Sequence, residues 1–112
     1  MKKLILAGLL IALSSVAVFA DTFVLKNGIA PSIFYEVYIS PSDSDDWGDD
    51  LLGDAVIEPG KAKVFTSPVS LKSTTIDIMV VDQMGNTFIV SDRRVRNDAT
   101  VTITINDLSL DD

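Results

Sequence analysis

Carboxylates are the reactive groups this chain offers in quantity, and they are concentrated. Asp43, Asp45, Asp46, Asp49, Asp50 and Asp54, six of the sixteen acidic residues, fall within twelve positions, and the only tryptophan, Trp47, stands among them. Like charges at this density repel, so folding the segment tightly requires that water solvate them or that a hard cation neutralise them. Calcium suits clustered oxygen donors where histidine and cysteine are missing, and the chain has neither. Asp43, Asp45, Asp49 and Asp54 are the candidate calcium ligands. The spacing is not that of an EF-hand. A loop begun at Asp43 puts Asp45 third, Gly48 sixth and Asp54 twelfth, but Trp47 takes an oxygen-ligand position and Asp54 is shorter than the usual Glu. A looser loop site is the surviving form of the hypothesis, and outside a cell even sites of about 10⁻⁴ to 10⁻³ M are occupied. The competing reading is a solvated acidic loop without an ion.

Trp47 has two readings as well. Four residues before Leu51, it could pack on that side chain and, with Leu52, close one end of a core. Alternatively the indole is offered to a sugar ring or a protein partner, with Asp46, Asp49 and Asp50 as the contacting carboxylates. Phe34 and Tyr38, flanking Glu36 at alternate positions, could form a second sugar platform, although cover by an opposing sheet is the ordinary fate of such a face. Arg93, Arg94 and Arg96 form a basic cluster. They are expected on an edge strand, where charge discourages sheet-to-sheet aggregation, with pairing to the acidic loop as the alternative.

The absence of Cys and His removes thiol nucleophiles, imidazole acid–base chemistry, histidine-dependent triads and nearly all zinc, copper and haem sites. Two carboxylates about 5 to 10 Å apart could hydrolyse a glycoside. That chemistry needs a walled cleft that raises one acid's pKa, and the candidate acids lie in a polar loop. A noncatalytic domain is therefore expected, with a carboxylate-based hydrolase as the third choice.

The elements that would position these residues read as strands. Val101, Ile103 and Ile105 alternate with Thr100, Thr102 and Thr104, the pattern of a half-buried strand from Thr100 to Asn106. Ile33, Tyr35, Val37 and Ile39 form an apolar row opposite Phe34, Glu36 and Tyr38, and Ile76, Ile78 and Val80 one opposite Asp77 and Met79. Thr22 to Asn27, Lys61 to Thr66 and Thr87 to Ser91 are shorter strands. Asn27-Gly28, Pro31, Glu58-Pro59-Gly60, Pro68 and Gly85-Asn86 punctuate the runs as turns, and Ile76 to Ser91 reads as a hairpin. Six or seven short strands without crossover helices predict an all-β fold, a small antiparallel β-sandwich, with a small β-barrel as the alternative.

Residues 1–20 have the three parts of a cleavable signal peptide: Lys2 and Lys3, an apolar run from Leu4 to Leu13, and a small-residue exit at Val18-Phe19-Ala20. Export to the periplasm or the extracellular space is expected, with residues 21–112 as a single domain. The run is short for a membrane anchor, and no cysteine follows it to carry a lipid. With the signal go two of the nine basic residues, which deepens the formal charge from −7 to −9. A surface so acidic disfavours nucleic acid and anionic membrane surfaces as partners. Without disulfides, packing or a bound ion must supply the stability.

Tyr38-Ile39-Ser40-Pro41-Ser42, Trp47-Gly48-Asp49-Asp50-Leu51-Leu52-Gly53, Glu58-Pro59-Gly60 and Ile76-Asp77-Ile78 follow one another in an order that resembles a family of small, mostly uncharacterised secreted bacterial proteins. The resemblance spans roughly half of the chain beyond residue 20 and implies a shared β fold, without an activity to carry across. Members are sometimes labelled argininosuccinate lyase, a large helical enzyme for which this chain is too short and lacks histidine. The expected function is an exported binding or structural domain that presents its acidic loop to a protein or cell-envelope component. The alternative is a calcium-dependent or carbohydrate-binding module.

Overall fold

The alternating segments form six strands: β1 (Thr22–Asn27), β2 (Phe34–Pro41), β3 (Ala62–Thr66), β4 (Ile76–Asp82), β5 (Thr87–Arg93) and β6 (Thr100–Ile103). A 3-10 turn, Ile105–Asp107, follows β6. The structure, a computed structural model, describes residues 21–110; the expected signal peptide at 1–20 lies outside them. Among the described residues no helix is long and apolar enough to cross a membrane.

The strands make two sheets of three, ordered β3-β1-β6 and β2-β4-β5. This is the all-β sandwich expected from the alternation, with one departure from a purely antiparallel arrangement. Strand β6 pairs with β1 in parallel, Leu25 opposite Val101 and Asn27 opposite Ile103. Every other pairing is antiparallel. Phe23, Leu25, Phe65, Val101 and Ile103 from the first sheet share one core with Phe34, Val37, Ile78, Val80, Phe88 and Val90 from the second. Each such side chain, fully buried, contributes about 1.5 to 3 kcal/mol. Two phenylalanine pairs, Phe23 with Phe65 and Phe34 with Phe88, lie with ring centroids 6.4 and 6.2 Å apart, within the range for favourable aromatic contact.

Two strands depart from the rows expected of them, each for a visible reason. In β2 the pairing slips between Phe34 and Glu36, a β-bulge against β4. The extra residue turns Phe34 inward, fully buried, and leaves Tyr35 48% exposed. The expected row Ile33, Tyr35, Val37, Ile39 is thus corrected to Phe34, Val37 and Ile39. The sugar platform of Phe34 and Tyr38 is overturned with it. Strand β6 stops at Ile103 instead of continuing to Asn106. Thr104 Oγ1 accepts the Asn106 amide at 3.3 Å while Asp107 Oδ2 accepts the Thr104 amide at 2.8 Å, a capping box that turns the chain out of the strand. Ile105 is consequently 61% exposed rather than in line with Val101 and Ile103.

The outer edges of the second sheet are covered by the chain itself. Phe34 on β2 exchanges backbone hydrogen bonds with Ile57 at 2.9 and 3.0 Å, and Phe88 on β5 bridges Leu108. Asn27 locks the crossing from β1 to β2. Its fully buried amide donates to the carbonyls of Ser32 (2.7 Å) and Ile57 (2.9 Å) and accepts from the Ile29 amide (2.9 Å). The expected Asn27-Gly28 turn is thus a strand end with a buried anchor. Gly28 permits it, since a Cβ there would meet the Ile103 carbonyl oxygen at 2.8 Å.

Candidate functional site

The acidic segment leaves β2 at Pro41 and is shaped mainly by its own polar groups. The Ser44 amide donates to the Pro41 carbonyl (3.0 Å) and the Ser42 amide to that of Thr75 (3.1 Å), closing a turn at the end of the sheet. Ser44 Oγ accepts the Asp46 amide at 3.1 Å, and Asp46 Oδ1 accepts the Gly48 amide at 2.9 Å, short side-chain turns of the kind Ser and Asp favour. Gly48 takes the left-handed conformation that the next step needs, φ +75°.

Asp50 then fastens the segment to the sheet. Its Oδ1 accepts the Val37 amide at 3.0 Å and the Leu52 amide at 2.9 Å, while the Leu51 amide donates to the Val37 carbonyl at 2.8 Å. An unpaired backbone pair on β2 is satisfied, and Leu52 enters the core. From there the chain runs beside β2 to Ile57.

The six carboxylates accordingly divide. Asp46 and Asp50 are used internally, whereas Asp43, Asp45, Asp49 and Asp54 are exposed and accept no hydrogen bond among the described residues. Asp43 lines an open recess of about 410 Å³ with Ser42, Ser73, Thr74, Thr75, Asp92 and Arg94. Asp45 and Asp46 line another, of about 120 Å³, with Ser40, Ser44, Trp47 and Asp77. The proposed calcium ligands are not gathered: among the described residues no three carboxylates come close enough to share an ion. Trp47 is half-buried against its own recess, Leu51 is 45% exposed, and residues 47–51 form no helical turn. The expected Trp47–Leu51 plug is corrected on that ground, with Leu52 as the buried member.

Asp77 ties the two recesses together. One of its oxygens, Oδ1, accepts from Ser42 Oγ and from the Asp92 amide, each at 2.8 Å. Asp92 sits at a bulge of β5 with φ +51°. The sequence showed Asp77 only as an outward residue on β4, and no pattern could disclose that a bulge on the neighbouring strand would present an amide to it. On β2, Tyr38 donates its hydroxyl to Glu36 Oε1 at 2.6 Å. That hydrogen bond, with burial and the negative charge of Glu36 and Asp50, pushes the Tyr38 pKa up to about 12. Arg93 ends β5, and Arg94 and Arg96 lie beyond it, which corrects the placing of all three on one edge strand. Val95 between them is buried in the core. Comparison with protein-family models, curated proteins and solved structures finds no match for the chain.

Proposed function

We propose that this chain is an exported, noncatalytic binding domain that meets a protein or cell-envelope partner through the loop from Ser40 to Asp54. One observation carries the reading: the loop spends two carboxylates, Asp46 and Asp50, on fixing its own backbone. Asp43, Asp45, Asp49 and Asp54 remain exposed on that frame, with the indole of Trp47 half-exposed beside them. A frame made before binding lowers the ordering cost of association. An aromatic side chain amid charges supplies an anchor and an electrostatic preference, here for a partner with a cationic rim.

A second reading rests on the small recess beside Trp47. Ser40, Ser44, Asp45, Asp46 and Asp77 line this recess together with Trp47, and an aromatic residue beside hydroxyl-binding groups is the combination that a single sugar residue requires. In that case the same loop binds a glycan rather than a polypeptide.

A photoreactive amino acid placed at position 47 or 51, in the cell that makes the protein, tests both. Met84 and Thr102, exposed positions away from the loop, serve as controls. Adducts of one discrete protein mass from 47 and 51, and not from 84 or 102, support the first reading. Carbohydrate-containing adducts from 47 support the second. Equal labelling from all four positions, or none from 47 and 51, contradicts both.

A further inference from the structure

The structure holds a third recess whose chemistry is opposite to that of the acidic loop. It has a volume of about 300 Å³, is lined chiefly by carbon, and is bounded by Asp21, Leu71, Lys72, Arg94, Val95, Arg96 and Asn97. Leu71 and Val95 belong to the core and form its floor. Lys72, Arg94 and Arg96 on its rim are exposed, and side chains of this kind line apolar surface with their stems. We infer that this recess binds a small amphiphilic carboxylate, an apolar chain ending in one negative charge.

The rim supports that choice over a neutral or cationic ligand. Lys72, Arg94 and Arg96 are three of the seven cationic side chains beyond residue 20, gathered at one place on a strongly acidic chain. The other polar groups on the rim already have structural partners. Asp21 Oδ2 accepts the Leu71 amide at 2.6 Å, and Asn97 Oδ1 accepts the Thr22 amide at 2.9 Å. Arg94 is held in place by donating one guanidinium N–H to the Lys72 carbonyl at 3.1 Å. This leaves further N–H groups of its planar fork, which suits a carboxylate. A pocket of this size that is apolar within and has a few polar groups at its mouth has the usual build of a small-molecule site.

The test is a titration of the purified protein followed by amide NMR shifts, with decanoate as the probe. Decanol has the chain without the charge, decyltrimethylammonium has the opposite charge, and acetate has the charge without the chain. Saturable shifts at Leu71, Lys72, Val95 and Asn97 are expected with decanoate, and at least tenfold weaker binding for the other three. R94Q/R96Q should weaken decanoate at least tenfold, and K63Q, on β3, should not. Because Arg94 also holds the Lys72 carbonyl, K72Q/R96Q is the companion variant that leaves this bond intact and should weaken binding likewise. Decanol or decyltrimethylammonium binding as tightly as decanoate, no saturable shift at these amides below millimolar probe, or undiminished binding by K72Q/R96Q would each overturn the assignment.

Discussion

Within one loop, chemically identical aspartates carry different structural duties, and substitution separates them. Replacing Asp50 with alanine removes the acceptor shared by the Val37 and Leu52 amides. The expected loss is about 1 to 3 kcal/mol, since backbone donors are left without their partner. Asn at positions 43, 45, 49 or 54 should change stability by no more than about 0.5 kcal/mol. Urea unfolding of the five variants measures the difference. Asp82, outside the loop, is another carboxylate with an internal duty. Burial alone would raise its pKa, but hydrogen bonds from the backbone and side chain of Asn86, from Ser32 and from the Met84 amide outweigh burial and lower it. A carboxylate lowered in the folded state stabilises the fold above its ordinary pKa of about 3.9, and that contribution disappears as pH falls through the folded value. The urea midpoint should therefore decline from about pH 4 downward. The Asp82→Asn variant should start lower and decline less steeply over the same window.

At the scale of the element, the crossing from β1 to β2 depends on one amide and one missing side chain. Asn27→Ala should cost about 2 to 3 kcal/mol by stranding the Ser32 and Ile57 carbonyls and the Ile29 amide. Gly28→Ala should cost about 1 to 3 kcal/mol by forcing a Cβ against the Ile103 carbonyl oxygen. Thermal unfolding of both variants tests the pair. The position of these elements was largely legible: alternation located all six strands and Gly85-Asn86 the hairpin, because a two-sided strand writes its period into the sequence. Faces were less legible. The bulge at Phe34 and Glu36 depends on the neighbouring strand, so the start of the β2 row, Ile33 and Tyr35, came out one residue out of phase, while Val37 and Ile39 face the core as expected. The end of β6 was readable in principle, since Thr104 and Asp107 stand at capping-box spacing, but the apolar alternation through Ile105 masked that signal. In the acidic loop, composition revealed where charge was concentrated. It could not reveal that Asp50 faces the β2 backbone, because that bond is made across thirteen residues.

On the scale of the whole molecule, the second sheet is closed at its edges by Ile57 and Leu108, and segments between strands carry the distinctive chemistry. Near one end of that sheet stand exposed carboxylates and an indole, and beyond Arg93 a cationic rim surrounds an apolar recess. On the function proposed above, the acidic loop is a surface built by its own hydrogen bonds and ready to meet a partner, rather than a solvated tether or a segment ordered by an ion. Amide hydrogen exchange of the purified protein, with chelator and then with millimolar Ca²⁺, tests this most directly. Protection at Val37, Leu51 and Leu52 in chelator, unchanged by Ca²⁺ and reduced by Asp50→Ala, is the predicted result. Exchange at unstructured rates in chelator, with protection appearing only when Ca²⁺ is added, would contradict it.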